Sequence, residues 1–220
     1  MPKPNRGTSR LPAGLPASSL LLLVCTSFLW SANLQTSATV VGSARERRRV
    51  YLFIGTRPEA IKLSPLAIEL AASEHFDAQV VFSGQQPDLV EPFFQFFNVH
   101  PDIRLTGVVE AGQPLSMLLA KLISGLEDVL PKSRSFDDSS SHNSADVWVV
   151  QGDTSTALAA ALVGFNRRVF VAHVEAGLRT YDLSSPFPEE FNRKTISSIA
   201  TFNFAPTQLA MENLERENVS

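Results

Sequence analysis

The sequence predicts an α/β protein with a Rossmann-like, doubly wound parallel sheet, and two observations carry this prediction. Short apolar runs alternate with helical stretches from residue 50 onward, which is typical of βαβ units. The run at residues 50–54 (VYLFI) is apolar throughout, as expected of a parallel strand that is buried on both faces. Gly55 and Thr56 end this run, and an amphipathic helical stretch follows them.

The elements can be placed in order along the chain. Strands are predicted at the apolar runs, namely residues 50–54, 79–82, 146–150, 168–172 and 201–205. Helices are predicted between and after them, namely from Thr56 to about residue 73, at 88–97, 114–130, 154–165 and 207–217, and after the acidic pair Glu189 and Glu190. The serine-rich stretch at 133–145 is predicted to be a surface loop with no role in a site.

Residues 1–49 are predicted to be a leader that is cleaved or disordered, and residues 50–220 to form the folded domain. A basic start precedes the apolar run at residues 20–30, and small residues at 36–38 (TSA) offer a cleavage site. These features describe a secretory signal peptide or a bipartite organelle leader. The apolar run is shorter than the roughly 20 residues that a membrane span needs. The alternatives are a signal anchor or a mispredicted start codon.

Charge and cysteine content exclude several classes of function. The leader holds seven basic residues and one acidic residue, a formal charge of +6, so the net charge of −3 leaves −9 on the remainder. An acidic domain lacks the basic stripe that nucleic-acid binding needs, so no nucleic-acid partner is expected. Cys25 is the only cysteine, which rules out a disulfide or a cysteine-based metal site within the chain. The leader predicts the secretory pathway or a plastid-type organelle, and a mispredicted start predicts the cytoplasm.

The first predicted strand ends in GTRPEAIK (residues 55–62), most of which local structure explains. Gly55 permits a tight turn from strand to helix. Thr56 and Glu59 fit a capping box, and Pro58 suits the first helical turn because it lacks a donor that would be unpaired there.

Arg57 and Lys62 are the two residues of this motif that helix formation does not explain. The positive end of a helix dipole disfavours cations. A bound anion would resolve this conflict, although surface cations are often merely solvated. The motif therefore indicates a candidate anion site.

Three further motifs place acidic residues beside predicted strand ends. QGDTST carries Asp153, HVEAGLRT carries Glu175 together with His173 and Arg179, and PFPEEFNR carries Glu189. Ligands of open α/β sheets bind outside the carboxyl ends of the strands, so we expect these carboxylates to converge on one crevice. Converging carboxylates suit general acid/base chemistry, because crowding and burial can separate their pKa values.

Each of these acidic motifs also has a purely structural interpretation. Asp153 or Thr154 could serve as a helix N-cap. Glu189 and Glu190 would be stabilised by the positive end of the helix that they open.

GTRPEAIK, QGDT, HVEAGLRT and SPFPEEFNR together resemble, in order and spacing, the non-hydrolysing UDP-N-acetylglucosamine 2-epimerases. The resemblance extends from about Val50 to the end of the chain, and four linked motifs make it specific. It implies the two-domain GT-B architecture, in which a UDP-sugar lies between two Rossmann-like domains. Residues 50–220 would supply the N-terminal domain, with the C-terminal domain absent.

The resemblance implies a reaction and roles for the site residues. Family members interconvert UDP-N-acetylglucosamine and UDP-N-acetylmannosamine by eliminating UDP from C1 with loss of the C2 proton. UDP then adds back to a 2-acetamidoglucal intermediate. By this resemblance Arg57 and Lys62 contact the substrate phosphates, and Asp153, Glu175 and Glu189 are the catalytic carboxylates. No cofactor or metal is implied; the partners are the UDP-sugar and a second copy, because the family is commonly dimeric.

Two departures from the family pattern qualify these expectations. Gln86 stands where members usually have histidine, in a loop that helps to bind a second, regulatory UDP-sugar in bacterial members. The C-terminal domain supplies most uridine contacts and a catalytic histidine, so weak or no activity is expected of this chain alone. The alternatives are a hydrolysing epimerase, a GT-B glycosyltransferase, and a non-catalytic remnant or partner-binding half. No stable membrane span is expected after leader removal.

Overall fold

The computed structural model describes residues 47–137 and 145–219. Most of the predicted leader and the centre of the serine-rich loop lie outside these described residues. Within them, strands and helices alternate strictly. The strands are β1 (Arg48–Ile54), β2 (Phe76–Phe82), β3 (Ile103–Arg104), β4 (Val147–Gln151), β5 (Phe170–Val174) and β6 (Phe202–Phe204). The helices are α1 (Arg57–Ala72), α2 (Pro87–Phe97), α3 (Leu115–Val129), α4 (Ser155–Asn166), α5 (Glu189–Ile199) and α6 (Gln208–Arg216).

The six strands form one parallel sheet in the order β3-β2-β1-β4-β5-β6. In the register, Val50 of β1 lies opposite Ala78 of β2 on one side and Val147 of β4 on the other. This strand order confirms the predicted Rossmann-like, doubly wound sheet. The direction of winding reverses between β1 and β4, and ligands of such folds bind outside the carboxyl ends of the strands at that point.

The two central strands are apolar over residues 50–54 and 147–150, because both faces of the sheet are covered there. Leu52 and Phe53, whose side chains point to opposite faces of β1, are both fully buried. Trp148 of β4 packs against Phe53 with ring centroids 4.9 Å apart, and Leu122 of α3 belongs to the same apolar cluster. The central strands therefore anchor the turns that leave their carboxyl ends.

The first strand begins at Arg48, two residues earlier than predicted, and takes up the end of the basic run. The Arg49 guanidinium donates to both oxygens of the buried Asp146 carboxylate, at 2.8 and 2.7 Å. Arg134 approaches the same carboxylate at 3.2 Å. Arg49, which the sequence prediction assigned to the leader, therefore compensates a buried charge in the folded domain.

One further strand boundary and one missed strand differ from the prediction for local reasons. The strand predicted at residues 168–172 runs instead over Phe170–Val174, because Arg168 has φ of 58° and belongs to the preceding turn. β3 was not predicted, since two residues carry no periodic signal. No helix in the described ranges is both long enough and apolar enough to cross a membrane.

Candidate functional site

A cavity of about 160 Å³ lies at the carboxyl ends of the central strands. The turns after β4 and β5 meet α1 and α5 there. Its lining combines acidic, basic and apolar side chains, namely Pro58, Lys62, Gln151, Gly152, Asp153, Thr154, Glu175, Leu178 and Arg193. Of the five predicted site residues, Lys62, Asp153 and Glu175 line this one cavity.

Asp153 is held on the turn between β4 and α4 by two residues of α5. The Arg193 guanidinium donates to its carboxylate at 2.5 Å, and the Asn192 amide donates to its backbone oxygen at 2.8 Å. Burial raises the pKa of the Asp153 carboxyl above its ordinary value; the charges of Glu189 and Glu175 act in the same direction, and Arg193 opposes them. A raised pKa makes the Asp153 carboxylate a better proton acceptor than an ordinary aspartate.

Glu175 follows β5 in a left-handed backbone conformation, with φ of 66°. Residues other than glycine, asparagine and aspartate seldom adopt this region, and such residues cluster at functional sites. The Lys62 ammonium and the Gln151 side-chain amide both donate to its Oε2 atom. These two donors fix the Glu175 carboxylate against the cavity and place one cation beside it.

Arg57 and Glu189, the other two predicted site residues, flank the cavity without lining it. Arg57 is the first residue of α1, is exposed, and has no ion pair with any residue that the structure describes. Glu189 is the first residue of α5, and its charge reaches Asp153. The structure therefore gathers three of the predicted residues in the cavity and leaves two at its rim.

His173 and Arg179 do not point into the crevice, although the sequence presented both with Glu175. His173 lies within β5, is fully buried, and donates from Nε2 to the Gly152 carbonyl at 2.7 Å. Burial lowers its pKa to about 4, so the imidazole is neutral at pH 7. The buried Arg179 guanidinium pairs instead with Glu217 beyond α6. Both residues support the turns that carry the site.

Glu59 has a larger role than the capping box that the sequence predicted. The box is present, and the carboxylate is completely buried. Its Oε2 accepts the backbone N–H groups of Gly55 and Thr56 at 2.8 and 2.7 Å, and its Oε1 accepts the Thr154 hydroxyl at 2.5 Å. Burial raises the Glu59 pKa to about 7, while these donors act to lower it.

Gly55 is required by close packing. A Cβ atom at this position would lie 2.1 Å from the Thr156 hydroxyl oxygen and 2.3 Å from that of Ser83. Its φ is not in the left-handed region, so the tight turn expected from sequence does not itself demand glycine. Glycine here lets the turns after β1, β2 and β4 approach one another.

Arg193 and Gln151 are cavity residues to which the sequence assigned no role. Arg193 lies four residues after Glu189 on α5, which places both on one face of the helix. The sequence shows this spacing. The residue with which Arg193 pairs, Asp153, is forty positions away, and no sequence pattern indicates that pairing. Gln151 was placed by the sequence in the motif after the strand predicted at residues 146–150, but it is the last residue of β4 and is buried.

The arrangement offers carboxylates for proton transfer and cations for anion binding. Within the described residues, no group of three or more His, Cys, Asp or Glu side chains could hold a metal ion. Asp153 and Glu175 provide carboxylates, and Lys62, Arg193 and the rim residue Arg57 provide positive charge. This combination suits a substrate that carries phosphate and exchanges a proton.

Comparison with known proteins gives one consistent result. The family model described as UDP-N-acetylglucosamine 2-epimerase matches residues 68–220. The relative of that name from Escherichia coli (strain K12) is 39% identical over 172 residues, covering 78% of this chain and 43% of the relative. The relative from Yersinia pestis is 40% identical over 169 residues, covering 77% of this chain and 42% of the relative.

Solved structures agree with the sequence comparison. The enzyme from Neisseria meningitidis bound to UDP-GlcNAc superposes with a TM-score of 0.68 at 33% identity, covering 78% of this chain and 43% of that one. The described sheet corresponds to the N-terminal domain of the GT-B architecture in these neighbours. The chain thus spans less than half the length of the relatives it matches. Four motifs, a doubly wound parallel sheet and these matches place the chain in the UDP-N-acetylglucosamine 2-epimerase family.

Proposed function

We propose that this chain belongs to an isomerase that reversibly converts UDP-N-acetylglucosamine to UDP-N-acetylmannosamine by inversion at C2. The observation that carries the proposal is the meeting of Asp153 and Glu175 with Lys62 and Arg193 in one cavity at the point where the sheet reverses direction. Family membership supports the substrate, since the neisserial relative is described as bound to UDP-GlcNAc.

The chemistry explains why several carboxylates are needed. The C2 proton of the sugar is not next to a carbonyl group, so its direct removal is unfavourable. In the proposed route a carboxylate takes that proton, the electrons of the C2–H bond form the C1–C2 double bond, and the C1–O bond breaks to release UDP. UDP then adds back to C1 of the 2-acetamidoglucal, and an acid returns a proton to the other face of C2.

Asp153, Glu175 and Glu189 share the proton transfers in this proposal. Asp153 suits a group that alternates between acid and base, because burial and two neighbouring carboxylates raise its pKa. Glu175 is held at the cavity by the Lys62 ammonium and the Gln151 amide, which both donate to its Oε2 atom, and this fixed position suits proton abstraction. The two carboxylates are therefore held by different partners, Asp153 by Arg193 and Glu175 by Lys62.

In the same scheme, cationic side chains stabilise the negative charge of the leaving group. Departing UDP carries a diphosphate, and preorganised cations stabilise the charge that develops on it. Lys62 and Arg57 lie on the first two turns of α1, where the backbone N–H groups of the helix N-terminus add to the attraction. Lys62 forms an ion pair with Glu175. A phosphate bound to Lys62 would therefore share this cation with the Glu175 carboxylate.

The test is wash-in of solvent deuterium at C2. The chain is incubated with UDP-N-acetylglucosamine in D₂O, and the sugar is followed by proton NMR. We expect slow exchange at C2 with the native chain and at least about a hundredfold slower exchange with Asp153→Asn, the usual size of one acid/base contribution. Asp137→Asn, which changes an exposed carboxylate outside the cavity, is the matched control. Equal exchange rates in Asp153→Asn and Asp137→Asn would remove Asp153 from the mechanism.

The same samples separate the alternative functions. A hydrolysing epimerase releases free N-acetylmannosamine and UDP, whereas the proposed isomerase retains the nucleotide on the sugar. A non-catalytic remnant need not bind the substrate, so calorimetric titration with UDP-N-acetylglucosamine is run first. Because relatives are more than twice as long, slow turnover is expected, and the exchange experiment is chosen since it accumulates signal over many hours.

A further inference from the structure

We propose that Glu59 is a positioning residue that holds the diphosphate-binding turn of α1 at a set distance from the turn that carries Asp153. This inference rests on the proposed function, because the ligand it serves is a nucleoside diphosphate sugar. Glu59 itself lies outside the cavity lining and touches neither substrate nor reacting atoms.

The geometry that supports this role is one carboxylate shared by two helix N-termini. Glu59 accepts from the backbone N–H of Thr56, the N-cap residue of α1, at 2.7 Å. Its other oxygen accepts from the hydroxyl of Thr154, the N-cap residue of α4, at 2.5 Å. The Thr154 oxygen in turn accepts the Ala157 N–H at 3.0 Å, so the hydroxyl group both donates and accepts a hydrogen bond. One side chain thereby bonds the caps of the two helices that flank the reversal of the sheet.

A local capping role alone does not account for this arrangement. A capping box needs only one oxygen of the glutamate, and it works equally well at a solvent-exposed helix end. Glu59 is instead fully buried, which costs free energy unless the carboxylate is completely hydrogen-bonded. The second oxygen reaches a residue ninety-five positions away. The burial is therefore compensated by a bond that links two distant turns.

The link matters for the ligand because the two turns carry different parts of the site. The α1 turn carries Arg57 and Lys62, which face the diphosphate in the proposed function. The turn before α4 carries Asp153, which faces the sugar. A displacement of about 1 Å between phosphate and carboxylate subsites can cost on the order of a hundredfold in rate. The Glu59 carboxyl group lies between the two helix N-termini that it bonds, so we expect a ligand diphosphate to bind beside Lys62.

The test compares two threonine N-caps, of which Thr154 lines the cavity and bonds Glu59, whereas Thr207 does neither. Thr154 and Thr207 each accept a backbone N–H three residues ahead, at 3.0 and 3.1 Å, but only Thr154 also bonds Glu59. The dissociation constant for UDP is measured by calorimetry on the full chain, at a temperature where every variant is folded by circular dichroism. We expect Thr154→Val to bind UDP about tenfold more weakly, the size of one lost charge-assisted hydrogen bond. Thr207→Val should remain within about twofold of the native value, because loss of a cap changes helix stability and not the site.

Two further variants separate the link from a direct contact between Thr154 and the ligand. Glu59→Ala removes the carboxylate without touching the cavity, and Glu59→Gln can still bridge, with its oxygen on Thr56 and its amide N–H on the Thr154 oxygen. We expect Glu59→Ala to match Thr154→Val, Glu59→Gln to recover most of the affinity, and the double variant Glu59→Ala/Thr154→Val to be no weaker than either single one. If Glu59→Ala does not fold, Glu59→Gln with and without Thr154→Val completes the same comparison.

Each outcome decides one of the two proposals. Additive losses in the double variant, or equal UDP affinity in Thr154→Val and Thr207→Val, overturn the role of Glu59 and leave the proposed function standing. Failure of the native chain to bind UDP or UDP-N-acetylglucosamine overturns the proposed function, and the role of Glu59 falls with it.

Discussion

His173 and Glu59 are buried groups whose protonation should change the free energy of unfolding in opposite directions. Burial lowers the pKa of His173 from its ordinary 6.5 to about 4. Between pH 4 and 6.5, therefore, His173 is protonated in the unfolded chain and neutral in the folded chain. The stability contributed by His173 is present above pH 6.5 and is lost as the pH falls towards 4. Burial raises the pKa of Glu59 from 4.5 to about 7, so its contribution is present below pH 4.5 and is lost as the pH rises through 7.

Between pH 4.5 and 6.5 the two effects on the free energy of unfolding nearly cancel. Relative to the unfolded chain, the folded chain binds one more proton at Glu59 and one fewer at His173. We therefore expect His173→Gln, which keeps a donor for the Gly152 carbonyl, to expose the Glu59 slope. The free energy of unfolding of His173→Gln, minus that of the native chain, should fall by about 1.4 kcal/mol per pH unit as the pH rises. The total fall between pH 4.5 and 6.5 should be roughly 3 kcal/mol. Glu59→Gln should show a rise of the same size.

The assay is urea denaturation followed by far-ultraviolet circular dichroism at half-unit pH steps. The difference between each variant and the native chain is the quantity read, because carboxyls such as Asp153 contribute equally to both profiles and cancel. Difference profiles that are flat in both variants would refute the reasoning, since they would mean that neither group changes its pKa on folding.

Three further predictions concern packing and the ligand. Gly55→Ala forces a Cβ atom to within 2.1 Å of the Thr156 hydroxyl oxygen, and we expect a loss of about 3 kcal/mol in urea denaturation; an unchanged midpoint would contradict the close approach. Leu122→Ala empties part of the core where the side chain is fully buried, and should cost about 2–5 kcal/mol in the same assay; a loss below 1 kcal/mol would place Leu122 outside the core. Lys62→Met removes the cation paired with Glu175, and calorimetry should show UDP affinity reduced about tenfold or more; native affinity would exclude Lys62 from the phosphate subsite.

Elements with a strong local signal were predicted well: the apolar run at residues 50–54 lies inside β1, and the helix predicted at 114–130 coincides with α3 (Leu115–Val129). Hydrophobic periodicity and turn chemistry act over a few residues, so one sequence is enough to show them. Where that signal was weak, as in the two residues of β3, the prediction failed.

The candidate site divides in the same way. The sequence by itself determined that Asp153, Glu175 and Lys62 lie at the ends of elements facing one edge of a parallel sheet, because strand direction forces those ends together. Only the tertiary structure decided that Arg193 holds Asp153, that His173 turns inward onto Gly152, and that Glu59 joins two helix ends. These contacts join residues 40, 21 and 95 positions apart, and their partners are selected by the packing of whole elements. No local pattern encodes such a choice, since the same side chains would satisfy a surface cap or a solvated face equally well until the sheet brings the turns together.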